Sequence, residues 1–444
     1  MSTNITLKHI NKLAIPALVS GVSEPILSLT DAAIVGNIEI NATESLAAVG
    51  IVTTFLSMLI WVLGQTRSAI SSLVSQYLGA NNLEAIKSLP AQAIFIITSL
   101  SILIILATYP FAEPIFKLYN ASNLILDYSV DYYQIRVFGF PFTLFTIAVF
   151  GTFRGLQNTY YPMLIAIVGT IANIVLDVAF VYGVEGFIPA MYIKGAAYAS
   201  VCAQLIMAIL SVFYLLRKTE ISLRPTFPFN KEIKTFIIMI LNLFVRTLAL
   251  NVTLYYASAF STSYGKEYIA AYTIAINLWF LGAFIVDGYS SAGNILSGKL
   301  YGQKNYKTLV MLSNKLIKYG IVLGIAIAII GGLLYYPIGN IFTNDPLVLE
   351  QFYSVFWIVL AMQPFCALAF IFDGVFKGLG KMKYLRNVLL FSTFAIFVPI
   401  LFWLDSLDYK LYAIFIAITF WIIARGIPLI IKFRQQFLPL SQKT

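Results

Sequence analysis

The chain has 444 residues, of which 60% are hydrophobic, 15% aromatic and only 11% charged, with a formal net charge of +10. A soluble domain carries about 25% charged residues, so a water-soluble fold is excluded. One histidine (His9), two cysteines in apolar runs and no glycine-rich phosphate loop leave no basis for a histidine triad, a zinc site, a disulfide framework or a nucleotidase. A membrane enzyme would therefore lack a nucleophile and base, and no cofactor is expected.

About 20 apolar residues cross a bilayer as a helix. In chain order, the first span is expected near Leu13 to Gly36. Charge-free runs then lie between Glu44 and Arg67, Lys87 and Glu113, Arg136 and Arg154, Arg154 and Asp177, and Lys194 and Arg217. Further on they lie between Arg246 and Lys266, Glu267 and Asp287, Lys318 and Asp345, Glu350 and Asp373, Arg386 and Asp405, and Lys410 and Arg425. The expectation is an all-α, multi-pass membrane protein of twelve spans. An even number puts both termini on one side. Lys and Arg gather in the loops of that side and Asp and Glu in the others, which predicts cytoplasmic termini. The basic excess is then an orientation signal and implies no nucleic-acid partner. The first segment is too long for a signal-peptide core and carries Glu24 and Asp31, so no cleaved leader is expected.

The chain also aligns with itself at an offset of 223 residues. Gly79 falls on Gly302, Asn82 on Asn305, Pro114 on Pro337, Pro141 on Pro364, Gly151 on Gly374, Gly155 on Gly378 and Arg154 on Lys377. Apolar coincidences are cheap in such a composition; glycine, proline and charge coincidences at one offset are not. Two homologous six-span lobes are expected, the amino-terminal lobe over 1–218, a cytoplasmic linker over 219–234 and the carboxy-terminal lobe over 235–444. Even-numbered lobes insert in the same orientation, related by an axis along the membrane normal, which is a transporter's construction. Gly151 and Gly155, like Gly374 and Gly378, are expected to be close-packing faces.

A charged Asp at the centre of a span costs about 2.5–3.5 kcal/mol, so carboxylates in the spans mark function. Asp31 and Asp177 fall at a shared depth in the outer half of spans one and five, and Asn173 lies one helical turn from Asp177 on the same face. Two carboxylates and an amide suit Na⁺ or a proton equally. Their repeat partners are Leu254, Ile400 and Ile396, so the cluster belongs to one lobe. Glu24 lies deeper and either extends a proton path or pairs with Arg246. Pro16 and Pro25 are expected to bend span one. Asp287 and Asp373, near the inner ends of spans eight and ten with Lys377 and Arg386 nearby, are expected to form gate-closing or structural ion pairs, with substrate contact the alternative. Arg425 is expected to snorkel from span twelve.

With these residues in view, the chain resembles the multidrug and toxic compound extrusion (MATE) transporters, in particular their DNA-damage-inducible F (DinF-like) branch. The resemblance rests on EPILSLTDAAIVGNI from Glu24 to Ile38, LNLFVRTLAL around Arg246, VDGYSSAGNILSGKLYG in span eight and FDGVFKGLGKMKYLRN in span ten. It implies a bacterial inner-membrane antiporter that exports organic, usually cationic and amphipathic compounds against entry of H⁺ or Na⁺, with a monomer in membrane lipid expected. The family's amino-lobe cation residues carry over to Asp31, Asn173 and Asp177. Glu24 stands where the branch commonly has Gln, and Asn294 where span eight commonly has an acid, which weakens any ion site there. The nearest rival expectation is a lipid or lipid-linked-sugar flippase of the wider superfamily, which would want a basic, lipid-open cavity.

Overall fold

A bilayer core offers no water to backbone groups, so an apolar chain must satisfy its own peptide bonds, and this one does so with helices. In the computed structural model, residues 5–443 are described, except for the side chains of Glu24 and Lys443. The helices are α1 (Leu7–Gly21), α2 (Ser23–Val35), α3 (Ala42–Leu63), α4 (Thr66–Gly79), α5 (Leu89–Thr108), α6 (Ala112–Lys117), α7 (Asn123–Arg136), α8 (Phe140–Gly155), α9 (Tyr160–Val181) and α10 (Tyr192–Lys218). After the connection come α11 (Ile233–Ser263), α12 (Lys266–Gly302), α13 (Tyr306–Leu333), α14 (Tyr335–Phe342), α15 (Pro346–Ala361), α16 (Gln363–Gly378), α17 (Met382–Phe391), α18 (Val398–Asp405) and α19 (Leu411–Lys443). Among the described residues, eleven helical segments are long and apolar enough to cross a membrane, or 12 if the bent pair α15 and α16 is taken as one span.

Proline sets the interruptions. A proline ring clashes with the carbonyl four residues earlier; α1 ends at Gly21, four residues before Pro25, whereas Pro16 sits inside an unbroken α1. Pro364 stands at the start of α16, where the pair bends by 51°. Its repeat partner Pro141 opens α8 after a single 3₁₀ turn at Val137–Gly139. Pro399 follows a π-helical turn, Ser392–Phe397, of the kind that accommodates a displaced carbonyl.

The residues divide into two compact units, one of 19–74 and 82–240, the other of 1–18, 75–81 and 241–444. In the first, Val35, Val49, Val52, Phe116, Tyr133 and Ala196 form the core. In the second, the start of α1 packs inside: Ile10, Leu13 and Ala14 meet Val286, Leu296 and Phe433.

The glycine pairs are close-packing points and show the duplication in three dimensions. A Cβ on Gly151 would meet the Arg67 backbone at 2.7 Å, and one on Gly155 would meet Val74 at 2.5 Å. In the other unit, a Cβ on Gly374 would meet the Ser290 carbonyl at 2.0 Å, and one on Gly378 would meet Asn294 and Ser297 at 2.2 Å. Each contact maps onto its counterpart under the same shift of 223 residues. Large aliphatic side chains such as Leu103, Leu106, Ile171, Val175, Ile329 and Leu333 are exposed, as lipid-facing positions should be.

Candidate functional site

Helix α9 is built inside out. Ile171, Val175 and Val178 are exposed, while Asn173 and Asp177, one turn apart, are wholly buried. Three more helices of the same unit send polar side chains to the same place: α2 gives Asp31, α7 gives Tyr132 and Arg136, and α10 gives Ser200 and Gln204. On α7, α9 and α10 the paired residues are separated by four positions, so each pair shares one face of its helix. Arg136 ends α7, just before the break made by Pro141, where a cation suits the helix terminus.

Asp31 is richly supplied with donors. The Tyr132 hydroxyl donates to Oδ2 at 2.8 Å and the Ser200 hydroxyl to the same atom at 2.7 Å. The Asn173 amide donates to Oδ1 at 3.4 Å, and Arg136 Nε lies 4.0 Å from Oδ2. Arg136 is itself shared, since its Nη1 donates to Gln204 at 2.9 Å.

Asp177 is the opposite case. Both of its oxygens, and Oδ1 of Asn173, are buried and meet no hydrogen-bond donor. The Asp177 carboxyl is buried in the field of both Asp31 and Arg136. Two carboxylates thus face one guanidinium, leaving one negative charge and three acceptor oxygens without a partner. Buried acceptors of this kind are rare and call for a ligand, and an unpaired buried carboxylate must take up a proton or a cation.

Asp31, Asn173 and Asp177 are therefore brought together. Tyr132, Arg136, Ser200 and Gln204 escape a reading based on charge-free runs, because Arg136 marks the end of one. The duplication carries the signal: their repeat partners are Val355, Val359, Ile423 and Ile427, all apolar. The Glu24 side chain lies outside the described residues.

The other expected charges sit elsewhere. In the second unit, Asp373 pairs with Arg246 at 2.5 Å and with Lys377 at 3.0 Å. Arg386 turns to Asn387 instead, at 2.8 Å, and Asp287 makes no ion pair among the described residues. Arg425 does not snorkel: α19 continues well past it, and the side chain is buried against Phe370 and Trp421.

With this geometry in place, comparison with known proteins is informative. The MatE family profile matches residues 16–179 and again 239–403, the second match starting 223 residues after the first, the displacement found within the sequence. The chain is 24% identical to Protein DETOXIFICATION 42 of Arabidopsis thaliana, over 89% of this chain and 85% of that one. It is 25% identical to DNA damage-inducible protein F of Escherichia coli, over 89% of this chain and 86% of that one. Among solved structures, a MATE protein in a bent conformation superimposes with a TM-score of 0.90 at 20% identity, covering 98% of this chain and 96% of that one. That likeness establishes the shared twelve-helix, two-lobe fold.

Proposed function

This chain belongs to the MatE family of multidrug efflux transporters, and from that premise we propose that it is a secondary antiporter exporting organic cations in exchange for H⁺ or Na⁺. The observation that carries the proposal is the set of three partnerless buried oxygens, two on Asp177 and one on Asn173. Na⁺ takes hard oxygen ligands, and a proton takes the carboxylate; either satisfies the set.

The charge count supports a one-for-one exchange. Two carboxylates against Arg136 leave room for one monovalent cation, so an incoming ion and an outgoing organic cation compete for one seat. A one-for-one exchange of monovalent cations moves no net charge, so the concentration gradient of the incoming ion drives it, each tenfold supplying about 1.4 kcal/mol. Alternating access follows from rocking of the two repeats, and the break between α1 and α2 at Val22 gives span one a hinge about two and a half helical turns before Asp31. An acidic seat is the wrong sign for the anionic headgroups a flippase must handle. We place the protein in the bacterial inner membrane as a monomer with cytoplasmic termini, with lobes over 1–218 and 235–444 and a linker over 219–234.

The test is efflux of tetraphenylphosphonium from proteoliposomes under separately imposed pH and sodium gradients. One gradient should drive export and the other should not. Equal, gradient-independent leakage under both would contradict antiport.

A further inference from the structure

The connection from α10 to α11 is held in place by a single buried side chain. Gln92, near the start of α5, is wholly buried. Its Nε2 donates to the carbonyl of Thr226 at 2.6 Å, and its Oε1 accepts from the backbone N–H of Asn230 at 2.8 Å. The Asn230 amide donates in turn to the Ala85 carbonyl at 2.9 Å and to the Ser88 hydroxyl at 3.1 Å. Ile221 is tucked inward, and the rings of Pro225 and Pro228 restrict the backbone.

This clamp turns apolar rings outward. Phe227 is 66% exposed and Phe229 49%, and the two pack edge to face with ring centres 5.1 Å apart. Burial favours tucking such rings under the loop, as it does Ile221, so a fixed backbone that displays both of them marks a contact surface. Arg224, Lys231 and Lys234 are exposed around them, and among the described residues none of the three forms an ion pair. From Arg217 to Lys234 five basic residues stand against two acidic ones, Glu220 and Glu232.

The loop also lies at the edge of the apolar belt. Exposed aliphatic side chains end at Leu216 on α10 and begin again at Ile237 and Ile238 on α11, about 6 Å along the axis from the helix start. Arg217 lies over the ring of Phe213, 5.5 Å from its centre, as a basic side chain at a membrane boundary does. Aromatic rings at headgroup depth with Lys and Arg beside them match an anionic lipid surface in both polarity and sign.

We propose that this loop is a binding surface for anionic phospholipid, with Phe227 and Phe229 entering the interface and Arg224, Lys231 and Lys234 holding headgroup phosphates. The surface is built from residues 85–92 and 217–234 of one unit, and it stands whether or not Asp31 and Asp177 take the coupling ion.

The test titrates purified full-length protein in neutral detergent with dioctanoyl phosphatidylglycerol or dioctanoyl phosphatidylcholine and counts bound lipids by native mass spectrometry. Saturable binding of phosphatidylglycerol, at least about tenfold tighter than phosphatidylcholine, is expected. Each basic residue near an anionic surface contributes about fivefold, so Arg224→Gln, Lys231→Gln and Lys234→Gln together should weaken phosphatidylglycerol by about twentyfold or more and erase the preference. Phe227→Ser with Phe229→Ser should weaken both lipids by about tenfold. Equal affinity for the two lipids in the wild type, or an unchanged preference in the folded triple variant, would overturn the proposal. So would a wild-type dimer that dissociates in the double phenylalanine variant, which would assign the surface to a second copy of the chain. If the variants do not fold, amide hydrogen exchange of the wild type in nanodiscs decides: residues 219–232 should be protected in phosphatidylglycerol relative to phosphatidylcholine, and equal exchange in both would refute the assignment.

Discussion

Replacing Asp177 with Asn should move stability and function in opposite directions. In the wild type both Asp177 oxygens are buried without donors and face the negative charge of Asp31. The amide has almost the same shape, removes one of the two like charges and brings two N–H donors to the orphaned Asn173 Oδ1. A net hydrogen bond is worth about 0.5–1.5 kcal/mol, and relief of an unsatisfied buried group about 1–3 kcal/mol. A gain of about 1–3 kcal/mol is therefore expected for folding of the 19–74 and 82–240 unit. For a unit of that size, 1 kcal/mol shifts the melting temperature by about 2–4 °C. Thermal melting of the purified variant in detergent should show a rise of at least a few degrees, and the stabilisation that the coupling ion gives the wild type should vanish. Export from proteoliposomes should fall to background. A variant that melts lower than the wild type while still exporting would refute the assignment of Asp177 as an ion seat, because it would make the residue a structural one. Functional sites that trade stability for chemistry behave in the expected way.

Other consequences are equally direct. Ser200→Ala removes a 2.7 Å hydrogen bond to a charged carboxylate and should cost about 1.5–3 kcal/mol of stability by thermal or chemical unfolding; no loss would mean that Asp31 does not depend on its donors. Gly374→Ala should destabilise by about 1–3 kcal/mol, because the added carbon falls 2.0 Å from the Ser290 carbonyl on a neighbouring helix. Gly50→Ala, where nothing lies within 4 Å, should be neutral or stabilising by up to about 1 kcal/mol, and equal effects at the two positions would contradict the packing. Asp373→Asn strands Arg246 and Lys377 and should cost about 3–5 kcal/mol, read as loss of monodisperse folded protein on size-exclusion chromatography; Asp373→Asn with Lys377→Gln should recover part of it.

Hydrophobic run length made the twelve spans legible, because backbone satisfaction in lipid leaves an apolar run few alternatives. What it hid were charges inside spans. Arg67, Arg136, Arg154 and Arg425 look like run ends, yet Arg136 and Arg425 are buried within helical segments that continue beyond them, and Arg154 is buried one residue before its segment ends. Charge alone cannot separate a loop arginine from a buried one, since burial depends on a partner on another helix. The duplication can: a polar residue whose counterpart is aliphatic has no general packing duty. Asp31, Asn173 and Asp177 stood out that way, and Tyr132, Arg136, Ser200 and Gln204 were open to the same comparison. Which partner each charge chooses was beyond the sequence. Arg246 was a candidate for Glu24 and is found on Asp373 at 2.5 Å, and Asp373 was grouped with Arg386, which turns to Asn387.

Competition for one seat is tested most directly by ion displacement. Purified protein, loaded with ²²Na⁺ or held in lightly buffered solution with a proton-sensitive dye, is titrated with tetraphenylphosphonium. Release of about one ion per bound cation is expected from the wild type, with none from Asp31→Asn or Asp177→Asn. Binding of tetraphenylphosphonium with no ion released by the wild type, or the same release from both variants, would contradict a shared seat at Asp31 and Asp177.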